Sequence, residues 1–125
     1  MSIILIALGG GSGAVARFLI IKFFRAYLPN LMIVPWDIMT INMLGSFGIG
    51  LCGGLLYSKG ISLEIRQFVT IGFLGGFTTF SSFTEGGYVL ADKSGLLAIF
   101  YLATSVFVGI LACYFGHYIS FKLVN

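Results

Sequence analysis

The chain has 125 residues, of which 58% are hydrophobic and 9% charged, and a mean hydropathy of +1.07. A soluble domain carries about 25% charged residues. A soluble fold of this length could not hide so much apolar surface, so the composition points to one integral membrane domain spanning residues 1–125. The net charge of +3 comes from seven scattered basic residues, which excludes a nucleic-acid-binding patch.

A helix needs about 20 apolar residues to cross a bilayer, and four segments qualify: Ile3 to Leu28, Met39 to Tyr57, Ile65 to Leu90 and Leu96 to Phe121. No positive n-region precedes the first, so it reads as a permanent span rather than a cleaved signal. Within it lies GGGSGAVAR, Gly9 to Arg17. Gly9, Gly11 and Ala14 fit a dinucleotide-binding pattern only by force, because no βαβ unit surrounds them. Gly9 and Gly13 are four apart and share a helix face, which predicts close helix packing through small residues. Arg17, one turn further, is either a snorkelling side chain or a fixed positive charge that draws anions toward a vestibule.

The first connection, PNLMIVPWD, holds Pro29, Pro35 and Trp36, the last suited to a membrane interface. In the second span, Asn42 is a polar amide at depth that either bonds across helices or donates to an anion, and Thr40, Gly45 and Gly48 permit close approach of another backbone. Cys52 here and Cys113 in the fourth span have no second thiol or histidine at ligand spacing and read as small buried hydrophobes. Beyond the turn SKGIS, Ser62 followed by Glu64 predicts the start of a third helix.

The third span carries GFLGGFTTFSSF, Gly72 to Phe83, which mixes glycine, phenylalanine and hydroxyl side chains. Gly75 and Gly76 each weaken a helix by about 1 kcal/mol relative to alanine, which predicts a helix broken near its middle with a short unwound turn at the glycines. Carbonyls freed there suit a cation, and Thr78 and Thr79 add oxygens. Phe80 and Phe83 follow on one face. Such a stripe is ordinarily packing, yet ring edges are positive and could assist a small anion, with Ser81, Ser82 and Thr84 as hydroxyl donors beside them. Glu85 is an acid deep in this segment. In the fourth span, Tyr101 and Ser105 are four apart and present their hydroxyls on one face. His117 reads as interfacial.

Four spans place both termini on one side. Lys59, Arg66 and Lys122 then lie on the terminal side, and Lys22, Arg25 and Lys93 on the other, with Arg17 deeper. Orientation follows an imbalance of Lys and Arg in short loops. Near-even counts predict insertion both ways and an antiparallel, dual-topology homodimer.

With these motifs in view, the chain resembles the Fluc/CrcB fluoride channels along nearly its whole length: GGGSGAVARF in the first span, INMLGSFGIG in the second, GFLGGFTTFSSF in the third and the Tyr101/Ser105 pair in the fourth. The resemblance implies passive fluoride conduction across a cell membrane that lowers cytoplasmic fluoride, through two pores per antiparallel dimer. It implies that Phe80 and Phe83 turn ring edges to fluoride, that Asn42 is a pore-lining donor, and that Tyr101 and Ser105 form a polar track, with Thr79 and Ser81 alongside. It implies further that backbone carbonyls of Gly75 and Thr78 hold a structural sodium ion between the inverted chains. Arg17 and Glu85 match family positions of less defined role. The alternative is a small multidrug-type proton-coupled antiporter, also a four-helix dual-topology dimer. That class uses an acid in its first span, where this chain has Arg17 and no acid.

Overall fold

The protein is described by a computed structural model covering residues 2–58 and 60–125, without the side chains of Tyr57 and Ser58. Lys59, counted above among the orienting charges, lies outside the described residues. The described chain is entirely helical. Three helices are long and apolar enough to cross a membrane: α1 (Ser2–Tyr27), α2 (Trp36–Ser58, apolar over Trp36–Leu56) and α6 (Gly95–Val124). A short 3-10 turn, Pro29–Leu31, separates the first two. Between α2 and α6 runs a fourth, broken helix: α3 (Leu63–Gln67), a π-helical stretch (Phe68–Leu74), α4 (Gly75–Phe77) and α5 (Phe80–Lys93).

Local chemistry sets the ends. Ser62 Oγ accepts the Ile65 N–H at 3.4 Å and starts α3 where its sequence predicts. Ser94 separates α5 from α6 and accepts the Leu97 N–H at 3.4 Å, so a single capping residue turns the chain back on itself.

The helices associate through glycine, as expected where lipid offers no hydrophobic drive. Gly9 and Gly13 face the broken helix. A Cβ on Gly9 would lie 3.0 Å from Gly72 Cα, and one on Gly13 would collide with Phe73 O. Gly76 in turn abuts Gly10 O. The most extensive pairing joins α2 to α6. There Gly50 meets the Cys113 carbonyl, Gly116 meets Phe47 O, and Gly54 meets the fully buried Ser120. These contacts follow spacings of four, Gly50–Gly54 on α2 and Gly116–Ser120 on α6, a pattern that the reading of the second span around Gly45 and Gly48 passes over. Those two glycines accept side chains instead, Thr78 and Leu74 respectively.

A small apolar core of Val34, Met39, Leu90, Ala98 and Tyr101 closes one end of the bundle. Elsewhere large apolar side chains such as Ile3, Phe18, Phe107 and Phe115 point outward, which lipid favours and water would not.

The break between α4 and α5 corrects one expectation. It falls at Thr78 and Thr79, not at Gly75 and Gly76. Gly75 is helical (φ −65°, ψ −37°), whereas Thr78 (φ −74°, ψ 156°) and Thr79 (φ −147°, ψ 117°) are extended. The physical reason is that β-branched threonines tolerate extended backbone well, while the Gly76 position serves the close approach of α1. The π-helical stretch before the break has no counterpart in the periodicity of the sequence.

Candidate functional site

The break gathers most of the singled-out polar residues. Released from the helix, Thr79 N–H donates to Asn42 Oδ1 at 2.9 Å, and Asn42 Nδ2 donates to Thr79 O at 3.0 Å. The Asn42 amide thus supplies the acceptor that the Thr79 N–H loses at the break, and adds a donor to the carbonyl of Thr79, the N-cap of α5. In a continuous helix the Thr79 N–H would have gone to Gly75 O, so the Gly75 carbonyl loses its ordinary donor here. Thr78 O accepts from Arg17 Nη1 at 3.2 Å, which places the first-span arginine at the break.

Beyond the break the chain restarts as α5. Thr79 Oγ1 caps it by accepting the Ser82 N–H at 3.2 Å, and lies 3.2 Å from both the Ser81 and the Ser82 hydroxyl. Thr84 donates its hydroxyl back to Ser81 O at 2.9 Å, so it points along its own helix. Glu85 is exposed.

Two concavities flank this region. The first, about 330 Å³, is bordered by Asn42, Gly45, Ser46, Thr70, Gly75, Thr78, Thr79 and Phe80. The second, about 310 Å³, is bordered by Asn42, Ser46, Phe80, Phe83, Ser105, Gly109 and Cys113. Asn42, Ser46 and Phe80 border both. Ser46 is one helical turn from Asn42 and was not singled out in the sequence; the N-x-x-x-S spacing is the signal that finds it. Cys113, read as a buried hydrophobe, is half-buried on the wall of the second concavity.

The aromatic residues form a relay. Phe80 and Phe83 have ring centroids 5.6 Å apart at an interplanar angle of 44°, and Phe83 and Tyr101 are also 5.6 Å apart, at 39°. Phe80 is 76% exposed in the single chain, so it belongs to no core of its own subunit. Phe73 and Phe77 instead stack on each other at 5.9 Å, 7° from parallel, and Phe77 is buried.

Tyr101 and Ser105 end the relay. Their hydroxyl oxygens are buried and have no hydrogen-bond partner among the described residues. Buried hydroxyls are ordinarily satisfied, because leaving one unpaired costs about 1–3 kcal/mol. Two such donors, four residues apart on α6 beside two phenylalanine rings, form a surface suited to a ligand that accepts hydrogen bonds.

A family model described as CrcB-like protein, Camphor Resistance (CrcB), matches residues 4–117. The chain is 38% identical over 120 residues to the fluoride-specific ion channel FluC of Gloeothece citriformis, covering 95% of this chain and 96% of that one. It is 40% identical to FluC of Agrobacterium fabrum over 119 residues, 93% of each chain. It is 41% identical to FluC of Phocaeicola vulgatus over 122 residues, 95% of this chain and 98% of that one.

Proposed function

Because the chain belongs to the CrcB family of fluoride-specific ion channels, we propose that fluoride passes along the line of Phe80, Phe83, Tyr101 and Ser105, with Asn42, Thr79 and Ser81 beside it. The protein is a multi-pass membrane channel of a bacterial family and not an enzyme. The observation that carries the proposed path is the pair of buried, unpartnered hydroxyls on α6 at the end of the ring relay. Fluoride is small and strongly hydrated. A narrow path must replace its water with donors, and the Tyr101 and Ser105 hydroxyls serve that role. Asn42 has two amide N–H groups, one given to Thr79 O, which leaves one for the path. The ring edges of Phe80 and Phe83 add weak positive potential. Passive conduction follows the gradient. Fluoride that enters as the neutral acid and ionises in a more alkaline cytoplasm would leave by this route.

The single chain does not enclose this path. Phe80 and both concavities are open on one side, and an antiparallel second copy is the occupant that the near-even charge balance favours. Two pores per dimer follow from two copies of the same relay. The test is initial fluoride efflux from liposomes holding the purified protein alone, with chloride as control. Adding two or three lysines to one end should bias insertion and lower efflux, and co-expression of oppositely biased variants should restore it. Undiminished efflux from one strongly biased variant would reject the antiparallel pair, and chloride efflux equal to fluoride would reject the selectivity.

The break also fits a hard monovalent cation such as sodium. Gly75 O has lost its helical donor, Thr78 O is turned out of the helix by an extended ψ, and both residues border the first concavity. Thr78 O retains one lone pair beside its bond from Arg17. These two carbonyls would hold the ion, and its charge would join helices of two chains that lipid alone does not drive together. Since the ligands are backbone atoms, a bulky residue at Gly75 should lower flux more than Thr78→Ser. The reverse order would argue against a backbone cation site.

A further inference from the structure

We propose that Asp37 and Arg25 form a compensated charge pair that sets the local fluoride concentration at the Tyr101 end of the path. The inference rests on the conduction path just proposed.

Asp37 is the one buried acid among the described residues, 3% exposed. Glu64 is half-buried, and Glu85 and Asp92 are exposed. A buried carboxylate is an odd neighbour for an anion path, because it repels the ion that the path conducts. Its position makes the question concrete. Asp37 opens α2 two residues after Pro35. The Pro35 ring and the Tyr101 hydroxyl converge on Gly86: a Cβ there would lie 2.8 Å from Pro35 Cγ and 3.2 Å from Tyr101 Oη. Pro35, two residues before Asp37, thus lies beside that hydroxyl.

The structure supplies the compensation. Asp37 Oδ1 accepts the Ile38 N–H at 2.8 Å, and Oδ2 lies 3.8 Å from Arg25 Nε. The first bond is made within α2 and is internal to the helix start. The second brings in a full positive charge from the end of α1. The Arg25 side chain is 71% exposed and the Asp37 side chain 4%. Arg25 therefore contributes little to packing, and its removal deletes a charge more than a contact. Without it, Asp37 stands uncompensated near the last donor of the path. At separations below a Debye length, about 10 Å at 0.1 M salt, such a charge still acts on a passing ion. With an effective dielectric of about 20 and one Debye length of salt, a unit charge about 10 Å from the ion amounts to roughly a three- to tenfold loss of local anion.

The test is initial fluoride efflux from liposomes carrying wild type, R25Q, R25K, D37N and the double variant R25Q/D37N, at low ionic strength and again in high potassium gluconate. R25Q should lower the rate about three- to tenfold at low salt, and R25K should keep it. D37N and the double variant should match or exceed wild type, because both remove the repelling charge. High salt should shrink the R25Q deficit toward none. A merely structural pair predicts otherwise: D37N would be harmful, and the double variant no better than R25Q. Salt would not help either. An R25Q rate equal to wild type at low salt, or a deficit that neither D37N nor salt relieves, overturns the proposal. If D37N fails to fold, the R25Q and R25K pair with its salt dependence still decides it. Wild type that conducts no fluoride would instead sink the conduction reading itself, a separate outcome.

Discussion

Asn42→Asp is expected to abolish measurable fluoride efflux while the purified protein keeps its oligomeric peak on size exclusion. The substitution is nearly isosteric. The carboxylate still accepts the Thr79 N–H, as Asn42 Oδ1 does at 2.9 Å. It loses the donor that Nδ2 gives to Thr79 O at 3.0 Å and sets two acceptors against each other. That mismatch costs about 1–3 kcal/mol at a part-buried site, which the folded protein tolerates. The larger effect is on the ion. Asn42 borders both concavities, so the new negative charge faces any anion moving past Phe80. At about 4 Å and an effective dielectric of about 20 the repulsion is about 4 kcal/mol, or nearly three orders of magnitude in occupancy. Asn42→Leu makes the complementary case. It adds no charge but leaves the Thr79 N–H without its acceptor, so it should lose the oligomeric peak along with flux. Normal efflux from Asn42→Asp would place the ion path away from this side chain.

The contrast between the two Asn42 variants also explains why its role was only half legible in the sequence. An amide at membrane depth announces that a polar group is needed, and the alternatives of bonding across helices or donating to an anion were both open. The structure shows the first directly, since the amide bridges both sides of Thr79. The second remains available to the same side chain because an amide has a second N–H. Sequence spacing cannot assign two partners to one group. They become visible only when the third span breaks beside α2.

The break itself was legible as an event and misplaced by three residues. Glycine has the weakest helix propensity of the residues between Leu63 and Lys93, which pointed to Gly75 and Gly76. Tertiary contact overrides propensity here: Gly76 stays helical to admit Gly10, and the extended turn falls on two threonines that propensity marks less strongly. The four helices, three of them long enough to span, the glycine face at Gly9 and Gly13 and the cap at Ser62 were readable because each depends on local sequence or on a spacing of three or four. The burial of Asp37, the pairing of α2 with α6 and the π-helical stretch were not, because each depends on which helices become neighbours.

Phe80→Ile and Phe83→Ile are each expected to cut fluoride efflux at least tenfold while the oligomer survives, and the matching methionine variants are expected to be milder. Isoleucine keeps an apolar side chain of moderate volume but removes the ring quadrupole, whose positive edge is the feature that would face an anion. Methionine also lacks a ring, yet its thioether is polarizable and its terminal methyl is slightly positive, so part of the attraction remains. The structure sharpens the comparison because the two rings differ in surroundings. Phe80 is 76% exposed in its own subunit, so its loss leaves no cavity within the chain. Phe83 lies between Phe80 and Tyr101, 5.6 Å from each, and packs against the small core. If the rings only pack, Phe83→Ile should weaken the fold by about 1–3 kcal/mol while Phe80→Ile leaves the chain unaffected. Isoleucine and methionine would then behave alike at each position. If the rings act on the ion, both positions lose flux to similar extent, and methionine exceeds isoleucine at both. Initial efflux measured beside the size-exclusion profile separates these outcomes. Normal efflux from both isoleucine variants would remove the ring edges from the mechanism and leave the Tyr101 and Ser105 hydroxyls, with Asn42, as the donors that replace the water of the ion.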